Sequence, residues 1–388
     1  MKFKRIFVIV LDSLGVGEAM DAASYNDNGA NTLKNIIEKY DLFVPNLKRL
    51  GLINTVIQPL NDNTNAYYTV AKPTNPGKDT LSGHYEMMGI KMDNSYKLYP
   101  NGFPSELINA IEHITKRKVM GNVRANKNTI IRELGEEEIR EKGLIIYTTN
   151  DSTLNIAAHE KIVPVDLLYK YCEAIRRLTI NNNYSIGRII ATPFVGANAN
   201  SFKISQNRKD FTIDPPTQSV LNYLKDNNLS VISIGKIYDI FNGSGITKKI
   251  SAQNNKEAID KILDIMDKDF TGLCYANLND FDSLYGHDRD LEGYATALED
   301  FDVEIPLLLN KLNNDDLLII TADHGNDPTF KGNDHTRENV PVVVYSNIFK
   351  RPKKLPISNS FADIGATISD NFNVKTPIIG TSFLDKLE

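Results

Sequence analysis

The chain has 388 residues, 41% of them hydrophobic and 24% charged, with a formal net charge of -5; it is too long for one ordinary domain and has the composition of a soluble globular protein. The acidic balance argues against a general nucleic-acid binder, which needs a basic surface, but leaves room for a local basic phosphate pocket. Cys172 and Cys274 are the two cysteines, both in apolar runs, which argues for a reducing compartment and against a disulfide framework or a thiolate metal site. MKFKRIFVIVLD lacks the long apolar region and cleavage site of a signal peptide, and no run of about 18 apolar residues follows, so the expectation is a cytoplasmic protein without a membrane partner.

RIFVIVL (5–11) reads as a first buried strand ending on Asp12, Ser13 and Gly15. PGKDTLSGHYEMMG (76–89) reads as a turn opening into a helix, with Gly77 and Gly83 bracketing Lys78, Asp79 and Thr80. The pattern then changes. Helices at 104–118 and 165–180 lie with strand-like LIIYTTN (144–150) and SIGRIIATPFV (185–195), between polar, turn-rich stretches at 94–102 and 207–218. This predicts a smaller α+β domain, 97–212, inserted into a core made of 1–96 and 213–388. After it, apolar runs at 229–235, 271–278, 316–322 and 340–346 alternate with helical stretches at 217–227, 255–268 and 304–312. That alternation predicts an α/β core with a largely parallel sheet flanked by helices.

The predicted strands share a chemistry at their carboxyl ends. The first delivers Asp12, and TGLCYANL leads into NDFDSLYGHDRD with Asp282 and His287. DLLIITA ends at Asp323 and His324, and His335 follows in the same polar loop. Ligand sites in open α/β sheets form at that edge. Carboxylates and imidazoles without thiolate suit Mn, Zn, Co or Mg. Six ligands are too many for one catalytic cation with an open position, so two cations with three ligands each fit better, a recurrent phosphoryl-transfer arrangement. Thr80, at a helix start where amide donors favour phosphate oxygens, is either the nucleophile of such a site or the helix cap. Asp280 is left out of the ligand set because an extended chain would point it away from Asp282. His84 reads as packing under the nucleophile turn, His159 as a locally bonded residue and His113 as a surface residue.

Ordered segments along nearly the whole chain carry a resemblance. They are RIFVIVLDSLGVGEAMDA, GANTL, GKDTLSGHYEMMG, YTTNDSTLNIAAHE, GKIYDIF, NLNDFDSLYGHDRD, ITADHGNDPTFKGNDHTREN, FADIGATISDNFNV and GTSFL. They resemble the prokaryotic, manganese-dependent phosphopentomutases of the alkaline phosphatase superfamily. The resemblance implies an alkaline-phosphatase-like core with the insert as a cap. It implies one manganese on Asp12, Asp323 and His324, a second on Asp282, His287 and His335, and Thr80 as the phosphorylated nucleophile between them. Asp151 matches a further active-site acid, and Arg188 and Lys236 match basic positions that bind the sugar phosphate. The implied reaction interconverts the 1- and 5-phosphates of ribose or 2-deoxyribose, with glucose 1,6-bisphosphate or a similar sugar bisphosphate priming Thr80.

Two stretches depart from the family pattern. NVRANKNT (122–129) stands where an Ala-Ser-Gly-Thr run is usual, and Thr192 stands where arginine usually precedes Pro-Phe-Val-Gly. Both lie where substrate is gripped, so a phosphohydrolase on the same fold is the alternative enzyme. A binding protein with a retained metal site is the alternative outside catalysis. The cofactor-independent phosphoglycerate mutases of the superfamily use serine and longer chains.

Overall fold

The computed structural model describes residues 1–59, 63–149 and 152–388. The chain forms two compact units, Met1–Ser95 with Pro215–Glu388, and Tyr96–Asp214. In chain order the strands are β1 (Arg5–Leu11), β2 (Tyr67–Ala71), β3 (Val119–Arg124), β4 (Leu144–Thr148), β5 (Thr153–His159), β6 (Arg188–Val195), β7 (Lys203–Ile204), β8 (Lys209–Thr212), β9 (Ser230–Ile234), β10 (Lys248–Ile250), β11 (Gly272–Leu278), β12 (Asp316–Thr321) and β13 (Val340–Tyr345).

The first unit is built on a seven-stranded sheet in the order β10-β9-β11-β1-β12-β13-β2. Its central strands β1, β11 and β12 are buried at every position, which is why they read as continuous apolar runs rather than alternating ones. β10, β9, β11, β1 and β12 pair in parallel, and β13 alone runs against them, pairing antiparallel with both β12 and β2, so the sheet is largely parallel, as expected, with one reversed strand. The reversal takes place in the loop between β12 and β13, and that loop carries Asp323, His324 and His335.

A buried ion pair pins the register that matters. Arg5 Nε and Nη2 donate to Asp316 Oδ1 and Oδ2 at 2.7 and 2.5 Å, while Nη1 reaches the carbonyls of Met266 and Lys268. Arg5 and Asp316 are also direct partners across β1 and β12, in a pairing that runs to Val10–Thr321. Carried two residues on, it brings Asp12 level with Asp323. The fork of a guanidinium on a carboxylate fixes orientation as well as contact.

The helix expected at 304–312 is longer, Leu291–Lys311. Asp290 caps it through Gly293 N, and the buried stripe Tyr294, Leu298, Phe301, Ile305 and Leu308 runs straight through Pro306. The proline removes the donor that would satisfy the carbonyl of Asp302. Asn46 Nδ2 supplies one instead, at 3.1 Å.

The second unit has a sheet in the order β3-β4-β5-β6-β7, with β8 also on β6. One face, with Leu144, Ile146, Leu154, Ile156, Ile189 and Ala191, packs with residues of helices Ser105–Thr115 and Val165–Asn181. The other, with Ile145, Tyr147, Ala157 and Phe194, packs against Ile130 and Ile131 of helix Lys127–Glu141. The first unit is thus the expected α/β core, and the second, expected as α+β, has helices on both faces of a mixed sheet. Among the described residues no helix is long and apolar enough to cross a membrane.

Candidate metal centre

The strand ends place the acids first. Asp12 follows β1 directly and is fully buried. Ser13, at φ 77, turns its backbone so that its N–H donates to Asp323 Oδ1 at 3.1 Å, which links the ends of β1 and β12. Such a φ is uncommon outside glycine and clusters at functional sites. Beyond β11 the chain enters a π-helical turn, Phe281–Gly286, and His287 N donates to Asp282 O at 3.1 Å. A π-turn joins residues five apart, so the spacing of Asp282 and His287 is the spacing of that turn.

Two groups of ligand atoms result, each with all its members within 4.8 Å of one another: Asp282, His287 and His335, and Asp12, Asp282 and His324. Asp282 is common to both. Asp323 Oδ2 lies 3.4 Å from His324 Nε2, which is itself 3.5 Å from Asp12 Oδ1. His287 Nε2 and His335 Nε2 each lie 3.3 Å from an oxygen of Asp282. All six residues expected to bind metal thus come together at one sheet edge.

Three features show that these donors fit cations. First, each imidazole places Nδ1 against a backbone carbonyl: His287 on Asn333 at 2.8 Å, His335 on Lys78 at 2.9 Å and His324 on Gly325 at 3.1 Å. A carbonyl only accepts, so Nδ1 carries the proton and Nε2 presents its lone pair inward, the tautomer a metal requires. Second, the Nε2 atoms of His287 and His335 face each other at 3.1 Å, a repulsive pair of lone pairs unless a cation takes them. Third, Asp12 Oδ1 and Asp323 Oδ2 are buried with no hydrogen-bond partner among the described residues.

The electrostatics agree. Burial, then Asp323 and Asp282, push the Asp12 carboxyl up to about 7. Burial also raises Asp323. Burial opposes the charge on Asp282, but His287 and His335 outweigh it and hold that carboxyl well below the usual range. Burial disfavours His324 as a cation, yet Asp323, Asp282 and Asp12 together lift its pKa. Burial and His324 depress His335 to about 3. Acids this crowded ionise together only when positive charge is supplied.

The turn that carries Thr80 meets this edge. Thr80 is the first residue of helix Thr80–Met87, and the cap is Asp79, whose side chain accepts from Ser82 N at 3.1 Å. The hydroxyl of Thr80 is therefore not spent on capping, and its Oγ1 lies 3.3 Å from His324 Nε2. Gly83, one turn on, is needed for this approach: a Cβ there would stand 2.0 Å from the carbonyl oxygen of Asp323. Lys78 is held by Asp27 at 2.9 Å and Asp334 at 3.4 Å.

Of the other expected residues, Lys236 follows β9 by two positions, and its charge lowers the Asp12 pKa. Arg188 begins β6 in the second unit, buried, 3.8 Å from Asp210 Oδ2. Asp151 lies outside the described residues. Asp280 accepts from Asn255 N at 2.8 Å at the start of helix Asn255–Met266 and takes no part in either group. His84 is fully buried beside the Tyr275 hydroxyl, with Nε2 3.5 Å from Asp323 Oδ2, and burial depresses it to about 3. His159 accepts locally from Lys161 N at 3.2 Å, and its Nε2 bonds the carbonyl of Gly196, 37 residues on, at 2.9 Å.

Sequence reading missed the amides. Asn277 Nδ2 donates to Asp12 Oδ2 and Asn326 Nδ2 to Asp282 Oδ1, each at 2.8 Å. Both stand near strand ends beside ligand motifs, a position that was the available signal.

The family model for the metalloenzyme superfamily matches residues 4–376. Among solved structures, the PH0037 protein from Pyrococcus horikoshii is similar over 98% of this chain and 100% of that one, at 15% identity and TM-score 0.49. Phosphoglycerate mutase from Leishmania mexicana, crystallised at low cobalt concentration, is similar over 98% of this chain and 97% of that one, at 12% identity and TM-score 0.49. A Vibrio parahaemolyticus protein in the alkaline phosphatase superfamily is similar over 99% of this chain and 70% of that one, at 11% identity and TM-score 0.44.

Proposed function

This chain belongs to the metalloenzyme superfamily, and from that premise we propose that it is a phosphopentomutase acting at a dinuclear divalent-metal site. The observation that carries the reading is the Thr80 hydroxyl: it heads a helix that Asp79 caps, beside His324 and the clustered carboxylates. The motif resemblance along the chain supplies the substrate, a ribose or 2-deoxyribose 1- or 5-phosphate.

Asp12, Asp323 and His324 would hold one cation and Asp282, His287 and His335 the other, with Mn2+ the ion the resemblance suggests. When bound, the two ions would neutralise charge on the phosphoryl oxygens and act as Lewis acids. The residues do the rest. Thr80 Oγ1 carries the phosphoryl group and passes it to the free hydroxyl of a pentose monophosphate. The P–Oγ1 bond breaks, a bond from phosphorus to the sugar oxygen forms, and the proton of the sugar hydroxyl is released as Thr80 regains its own. The resulting bisphosphate returns its other phosphoryl group to Thr80, so no water is consumed. The amide donors at the helix start favour the phosphate oxygens. Arg188 and Lys236 would bind the sugar phosphate, Asp151 would act as the further acid, and glucose 1,6-bisphosphate would prime Thr80.

The test is an assay with ribose 1-phosphate and ribose 5-phosphate, Mn2+ and a trace of glucose 1,6-bisphosphate, following isomerisation and free phosphate together. Isomerisation that disappears in Thr80→Ala is the expected result. Free phosphate without isomerisation would instead make the protein a phosphohydrolase, with the departures at 122–129 and Thr192 as the places to look. No turnover and no phosphate on Thr80 would leave a binding protein.

A further inference from the structure

Arg289 stands two residues after His287, and its side chain joins three segments that hold the Asp282–His287–His335 group. Nη1 donates to the carbonyl of Gly286, inside the π-turn, at 2.6 Å. Nε donates to Gly332 O at 2.5 Å and Nη2 to Asp334 O at 2.7 Å. Those carbonyls flank Asn333, whose own carbonyl takes the Nδ1–H of His287, and Asp334 directly precedes His335. Nη1 also bonds Asn326 Oδ1. With its oxygen held by a guanidinium, the Asn326 amide can only turn its NH2 outward, and Nδ2 donates to Asp282 Oδ1 at 2.8 Å.

Each ligand of this group is therefore fixed, at one remove, by the same planar fork. Asp282 is aimed by Asn326, His287 by the loop carbonyl that the fork brackets, and His335 by the peptide before it. Arginine offers five donors in a rigid geometry, whereas lysine offers a point charge that cannot bracket a loop. The other group shares Asp282, but Asp12, His324 and the neighbouring Asp323 have supports of their own: Asn277 for Asp12, the Gly325 carbonyl for His324 and Ser13 N for Asp323.

We infer that Arg289 is a positioning residue for one half of the centre, and that it sets the affinity of the cation held by Asp282, His287 and His335 far more than that of the other, which it reaches only through the shared Asp282. The inference rests on the dinuclear reading. Partners of metal ligands commonly change metal affinity about 10–100-fold when lost, and here the larger change should fall on one ion.

The experiment is calorimetric titration of the metal-free full-length chain with Mn2+, paired with electron paramagnetic resonance of the loaded protein. The unaltered protein should take up two equivalents and give an exchange-coupled spectrum. Arg289→Lys should keep one equivalent with the smaller change in affinity, weaken the second about 10–100-fold, and give the spectrum of isolated Mn2+ at one equivalent. Asn326→Ala, which leaves the guanidinium in place, should weaken the same equivalent by less. The retained first equivalent reports that the fold survives. Two equivalents bound as tightly in Arg289→Lys as in the unaltered protein would overturn the inference, and so would equal weakening of both in the two variants. Fewer than two equivalents in the unaltered protein would overturn the dinuclear reading itself, and the inference with it.

Discussion

His335 donates its Nδ1–H to the carbonyl oxygen of Lys78 at 2.9 Å, two residues before Thr80. The loop that brings His335 to the site is thus also the brace of the turn that carries Thr80. Substitution should expose both roles. In His335→Ala, Mn2+ affinity should fall by more than the about 10–100-fold that loss of a ligand's partner costs, and the rate of Thr80 phosphorylation should fall with it. Phosphoenzyme formation measured at saturating Mn2+ separates them. If saturation restores the full rate, the bond to Lys78 contributes nothing.

Gly83 packs directly against the backbone of Asp323. A Cβ at Gly83 would stand 2.0 Å from the Asp323 carbonyl oxygen, and backbone cannot swing aside as a side chain would. Gly83→Ala should force helix Thr80–Met87 away from the end of β12. Overpacking of this kind costs about 1–3 kcal/mol. The expected outcome is a lower Tm together with a larger proportional loss of kcat, because Thr80 rides on the displaced helix. A variant with unchanged Tm and unchanged kcat would show that the helix has slack there.

Much of this site is legible in the sequence, for a physical reason. Fully buried parallel strands read as apolar runs, so the acids that follow β1 and β12 announce themselves. Parallel pairing of β1 with β12 then sets Asp12 level with Asp323. The spacing of Asp282 and His287 is weak evidence in a sequence, since it becomes a constellation only through the π-turn. Asn277, Asn326 and Arg289 were not legible, because an amide or a guanidinium acquires its role from partners far along the chain. Helix Lys127–Glu141 was missed because its charge dominates and only a few apolar residues face the sheet. β5 was missed because Asn155 and His159 interrupt an otherwise apolar strand, although the fold buries both.

Chelation should destabilise the protein. Without cations the Nε2 lone pairs of His287 and His335 face each other, and Asp12 crowds Asp323 and Asp282. A ligand at about 100 times its Kd adds about 2.7 kcal/mol to stability. The Tm should fall on treatment with EDTA and recover with excess Mn2+. Asp282 belongs to both groups and His287 to one. Asp282→Asn should therefore abolish more of the Mn2+-dependent rise in Tm than His287→Ala. Equal loss in the two variants would mean that Asp282 serves a single ion.

The second unit carries its own pH dependence. Glu138 is fully buried on helix Lys127–Glu141, with Oε1 accepting from His159 N at 3.2 Å and Oε2 without a partner among the described residues. Burial raises its carboxyl to about 7, against the smaller opposing effects of the His159 amide and Arg117. A carboxyl raised on folding binds its proton more tightly in the folded state. Its stabilising contribution is complete below the unfolded value and is lost as pH rises through the folded one. Thermal unfolding followed from about pH 4 to about pH 8 should show this loss in the unaltered protein. Glu138→Gln keeps the shape and the acceptor but cannot ionise. Its Tm should match the unaltered protein in acid and exceed it above neutrality. Parallel curves across that range would assign the titration to another group.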